Sequence, residues 1–166
     1  MRDLFVAAAF AVVAAPLAAQ VHDQAHMMGA HADSDSAFAA MQARGNDVMG
    51  VDQYTSRHVF ESLPDGGRIE LQRLVDDTAG VAQIRRHLTA IADAFGRGDL
   101  TAPAIVHAKA VPGARVMAAR HAVIRYRTAP LPRGAELRIT TRDPEALSAV
   151  HEFLAFQRRE HRAGAP

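Results

Sequence analysis

Nine histidines and six methionines stand in a chain of 166 residues that has no cysteine. Imidazole and thioether are borderline and soft ligands, and together they suit copper, with thioether favouring Cu(I). The candidates form two groups. Near the N-terminus His22, His26 and His31 flank Met27 and Met28, close enough for a flexible segment to wrap an ion. Further on come His58, His87, His107, His121, His151 and His161, with Met49 and Met117 at expected loop or strand edges.

His151 is the strongest single candidate. Asp143-Pro144-Glu145 reads as a helix start: a capping carboxylate, a proline suited to the first turn, and an acid at the positive end of the dipole. At helical spacing Leu147, Val150, His151 and Leu154 share one side, with Ala146 and Phe153 beside them. A buried imidazole needs a partner, because leaving it unsatisfied costs about 1–3 kcal/mol. His161 lies ten residues further on. That is about 15 Å along a helix, too far to share an ion with His151. His87, on an earlier helix, comes within reach if the two helices pack side by side at about 8–10 Å. The expected domain ligands are therefore His58, His87, His107, His151 and Met117, and the expected tail ligands His22, His26, Met27, Met28 and His31. The competing role for each domain histidine is a hydrogen bond to a backbone carbonyl.

The elements that must position these residues follow from pattern and punctuation. Thr55 to Leu63 is rich in β-branched and aromatic residues, Pro64-Asp65-Gly66-Gly67 signals a turn, and Arg68 to Leu74 alternates. A helix is expected over Ala79 to Phe95, with Ile84, Leu88, Ile91 and Phe95 on its apolar stripe. Leu100 to Arg115, punctuated by Pro103, Pro112 and Gly113, reads as a loop. The first pattern then returns: Arg120 to Thr128 extended, a turn over Pro130 to Gly134, Ala135 to Thr141 extended, and the Asp143 helix. The expected fold class is α+β: a tandem ββα repeat forming a four-stranded, mainly antiparallel sheet with both helices on one face. Ile69, Leu71, Ala122, Ile124, Tyr126, Leu137 and Ile139 are expected to face the helices. Arg68, Glu70, Arg125, Arg127, Glu136 and Arg138 are expected on a solvated face of mixed charge. On the first strand His58 and Phe60 compete with Val59 and Leu63 for the buried side.

Residues 1–19 have the layout of a secretory signal peptide, with an uncharged run from Leu4 to Ala15 and a small-residue site near Ala19, although Asp3 weakens the basic start. The run is shorter than the roughly 20 residues that span a bilayer, so cleavage and export to the periplasm or beyond are expected, with no membrane span afterwards. Residues 20–48 are expected to be a disordered tail in which Ser36 to Arg44 makes a short helix. Residues 49–162 are expected to be one domain, and 163–166 a disordered C-terminus. Absence of cysteine excludes disulfides, thiolate metal sites and c-type haem attachment. A formal net charge of +1 gives no argument for nucleic acid. Helical zinc-protease, nucleophile-elbow and P-loop patterns are missing, so an enzyme is not expected.

Met49-Gly50-Val51-Asp52-Gln53, Ser56-Arg57-His58-Val59-Phe60, Ile84-Arg85-Arg86-His87-Leu88, Val106-His107, Pro112-Gly113, Val116-Met117 and Ala149-Val150-His151-Glu152-Phe153-Leu154-Ala155-Phe156-Gln157, followed by Glu160-His161, resemble an uncharacterised family of small exported bacterial proteins. The resemblance covers most of Met49 to His161 and places the domain histidines within the family pattern. Many members have a second histidine where this chain has Arg57, which leaves the first strand here with His58 alone. Some members carry the label aspartate carbamoyltransferase, which nothing in this short chain supports, and the resemblance implies no activity. The expected function is that of an exported metal-binding protein, with copper as the ion. The alternatives are a non-enzymatic module that docks another exported protein, its histidines being structural, and a non-covalent haem domain using His and Met as axial ligands.

Overall fold

The computed structural model describes residues 35–48, 50 and 53–163. The signal-like segment, the expected tail ligands His22, His26, Met27, Met28 and His31, and Met49 lie outside the described residues. Helix α1 spans 35–48, and from Ala37 onward it belongs to one compact unit with the described residues that follow. The expected short helix therefore forms and runs past Gly45.

The elements that follow are β1 (Ser56–Leu63), β2 (Gly66–Arg73), α2 (Thr78–Gly96), α3 (Thr101–His107), α4 (Ala114–Ala119), β3 (Ile124–Leu131), β4 (Gly134–Thr141) and α5 (Pro144–Glu160). The fold is α+β, with ββα used twice and two short helices between the copies. The sheet is antiparallel throughout, in the order β1-β2-β4-β3. Two hairpins meet at the β2–β4 seam, where Ile69 faces Leu137 and Arg68 faces Arg138. Each long helix covers the other copy's hairpin: α2 lies mainly against β3 and β4, and α5 mainly against β1 and β2. Arg85 fixes the first crossing, donating from α2 to the carbonyls of Gly134 and Leu131 at 3.0 and 2.9 Å.

The core forms between sheet and helices. Phe60, Ile69, Leu71, Ile124, Leu137 and Ile139 meet Ile84, Leu88 and Phe95 from α2, and Val150, Phe153 and Leu154 from α5. Phe95 and Phe153 bridge the helices edge to face, their rings 5.8 Å apart. The expected inward set is correct except for Ala122, which is exposed because Arg120 to Val123 forms a turn and a 3-10 segment, and β3 begins only at Ile124. On the other face Arg68 pairs with Glu61 at 2.7 Å and lies 3.9 Å from Glu70 and from Glu136, so the charges there are mixed and mutually compensating.

The segment expected to be a loop holds α3 and α4. Pro103 sits in the first turn of α3, where a missing N–H loses no helical bond. Gly113 caps α4 with φ +75°, and a Cβ there would lie 2.1 Å from the Ala149 carbonyl oxygen. This close approach seats α4 on α5. No helix among the described residues is long and apolar enough to cross a membrane.

Candidate functional site

Three elements end at one place. β1 brings His58, α3 ends on His107, and α5 is capped by His161, all three nearly fully buried. The His107 and His161 rings lie 5.1 Å apart and the His58 and His161 rings 5.7 Å apart. Phe60 stands 5.3 Å from His161, and Phe156 stands 4.9 Å from His107. His58, His107, His161 and Phe60 border a cavity of about 70 Å³ that His87, Leu88 and Ile91 from α2 also line. The other walls include Leu71, Phe153 and Val106, so the surroundings of four imidazoles are otherwise mostly apolar.

Local bonds hold the rings. Ser56 Oγ and His58 Nε2 share a hydrogen bond of 3.0 Å, and Gln157 Oε1 lies 3.0 Å from His107 Nε2. His107 Nδ1 is buried and has no hydrogen-bond partner. Arg44 of α1 donates to the Val106 carbonyl at 2.8 Å and so ties down the end of α3 beside this ring.

Burial favours the neutral form of His87, His107 and His161. It pushes His87 down to about 4. Burial, followed by the neighbouring His58 and His107, pushes His161 down to about 3. His107 is also lowered by burial, opposed by its bond to Gln157 and by the Glu160 carboxylate. Near pH 7 His87, His107 and His161 therefore present lone pairs rather than charge, the form in which imidazole binds a metal.

The structure brings together His58, His87 and His107 of the expected ligands and adds His161. It does not bring in His151 or Met117. His151 lies at the margin of the buried face of α5, and its Nε2–H donates to the Leu63 carbonyl at 3.0 Å. The competing structural role describes this residue. Met117 is completely buried in the hydrophobic core and does not border the cavity, so its thioether serves as packing. His121 Nδ1–H donates to the Ala118 carbonyl at 2.9 Å, another structural bond. Gln157 was not singled out from the sequence, although its spacing from His161 by one helical turn already placed both on one face.

Two imidazoles that share a tetrahedral ion at about 2.0–2.1 Å have ring centres about 5 Å apart. The observed ring spacings match that requirement. Among the described residues, however, no three histidine, aspartate or glutamate side chains have their ligating atoms gathered as around an ion. Compared with protein-family models, with curated proteins and with solved structures, the chain matches none.

Proposed function

We propose that the domain binds a divalent transition-metal ion, copper or zinc, through His58, His107 and His161, with His87 lining the same cavity. The observation that carries this reading is the convergence of three buried rings, from three separate elements, at 5.1 and 5.7 Å, with the buried His107 Nδ1 left without a hydrogen-bond partner. His121 and His151 end on carbonyls, whereas His107 Nδ1 is buried without a hydrogen-bond partner. An all-imidazole set suits Cu(II) and Zn(II). With Met117 in the core, the case for Cu(I) rests on the tail residues alone. The signal-like sequence at residues 1–19 supports handling of the ion in the periplasm or outside the cell.

The same convergence favours metal binding over a docking module whose histidines are structural. Apolar walls beside histidines suit haem chemically, but about 70 Å³ falls well below the roughly 300 Å³ or more that cofactor-sized ligands occupy. The cavity size supports an ion.

Dialysed full-length protein titrated with Cu(II) and Zn(II) at micromolar concentration tests the reading. The tail imidazoles are removed from the count by a companion variant with His22, His26 and His31 changed to alanine. That variant should retain one equivalent of metal, and adding His107→Ala or His161→Ala should abolish retention while circular dichroism shows the fold intact. Failure of the companion variant to retain metal, or retention indifferent to both histidine changes, contradicts it.

A further inference from the structure

Where β3 begins and β4 ends there is a second, open cleft of about 560 Å³, lined by Asp65, Val123, Arg125, Thr140, Thr141 and Arg142. It shares no lining residue with the histidine cavity. Strand alternation places its polar groups. Ile124 and Ile139 are buried in the core, so Arg125 and its cross-strand partner Thr140 point away from α2 and α5. Arg142 comes two residues after Thr140, diagonal to Arg125. Diagonal neighbours stem about 7–8 Å apart, within reach of one another when the side chains are long.

Backbone bonds fix the walls. The Thr141 N–H donates to the Asp65 carbonyl at 3.0 Å and holds the β1–β2 turn against β4. The Thr141 hydroxyl donates to the Val123 carbonyl at 2.9 Å and accepts from the Asp143 N–H at 3.1 Å. Charge is allotted unevenly around this frame. Arg68 is compensated by the glutamates beside it, Asp65 pairs with Arg138, and Asp143 and Glu145 both pair with Arg120. Among the described residues no carboxylate pairs with Arg125 or Arg142, both of which are exposed, and the Thr140 hydroxyl makes no hydrogen bond. The cleft thus offers two guanidinium forks and a hydroxyl, with its one carboxylate already committed.

We propose that this cleft binds a small soluble phosphomonoester, its phosphoryl dianion held by Arg125 and Arg142 and its organic part resting on Val123. Guanidinium forks match phosphate oxygens bidentately, and two unpaired cations suit a dianion better than a singly charged carboxylate. The cleft volume falls within the roughly 300–1,000 Å³ of small-molecule sites, which leaves room for more than the phosphoryl group. Val123 is 49% exposed and supplies the apolar contact.

Calorimetric titration of full-length protein with phenyl phosphate, in dilute chloride buffer, tests the proposal. Saturable one-to-one binding is expected, tighter than that of benzoate. Arg125→Gln and Arg142→Gln should each weaken it about tenfold, as the loss of a charge-assisted hydrogen bond does. Arg127→Gln, exposed on the same strand but outside the cleft, should leave it unchanged. All three changes are on the surface, and unchanged thermal midpoints verify that the variants fold. Absence of saturable binding, benzoate bound as tightly, or equal weakening by Arg127→Gln overturns the proposal, the last by showing diffuse attraction to a basic surface. Sedimentation with phosphatidic acid vesicles by protein that ignores phenyl phosphate also overturns it, since a membrane surface would then be the partner.

Discussion

His151 Nε2–H donates to the Leu63 carbonyl and joins the middle of α5 to the end of β1. Its substitution distinguishes a structural imidazole from a ligating one. His151→Leu should lower stability by about 1–2 kcal/mol, because the Leu63 carbonyl loses its donor. Zinc and copper binding should equal that of the unsubstituted chain. Urea unfolding and metal titration of the same preparation check both parts. Lost metal binding with stability unchanged would return His151 to the site. Why the sequence favoured this residue over His161 is clear in physical terms. Helical spacing shows what shares a face on one helix, and it correctly separated His151 from His161. It carries no information about which other elements the topology brings to that helix's end. His161 acquired its neighbours His107, His58 and Phe60 from α3 and β1. Met117 was favoured for its sulfur, but the same unbranched thioether fills a core, and complete burial shows that packing decided its place.

At the scale of elements, the strongest local signals were legible and the weakest were not. Asp143 caps α5 as expected, accepting from the Ala146 N–H at 2.8 Å and pairing with Arg120 at 2.9 Å. Asp143→Ala should cost about 1 kcal/mol, within the usual range for loss of a cap, and lower the thermal midpoint by a few degrees. Metal affinity should not move, because the cap and the Gln157–His161 turn lie at opposite ends of a 17-residue helix. Calorimetry beside a zinc titration measures both. A fall in affinity would mean that the whole helix, rather than its last turn, tunes the site. The prolines misled the reading of Leu100 to Arg115. Pro103 opens α3 instead of breaking it, and Pro112-Gly113 precedes α4. Six- and seven-residue helices also carry too few turns for periodicity to reveal them. The missed α3 matters most for function, since it ends on His107.

Across the whole molecule, the doubled ββα plan explains where the cavity lies. Each long helix crosses to the other hairpin, so His87 on α2 lines the same cavity as a cluster assembled from β1, α3 and the end of α5. The repeat was legible from the order of patterns, and the inward and outward alternation of the strands followed from it. The crossing was not legible, because it depends on how the β2–β4 seam joins the hairpins and no local pattern encodes that pairing. The central claim is that His58, His107 and His161 act as one ligand set. Long-range ¹H–¹⁵N spectra of the histidine side chains, taken on full-length protein before and after one equivalent of Zn(II), test it most directly. Metal-induced shifts are expected for the ring nitrogens of His58, His107 and His161, while those of His151 stay fixed. Shifts confined to His22, His26 and His31, or a shift at His151 with none at His107 and His161, would contradict it.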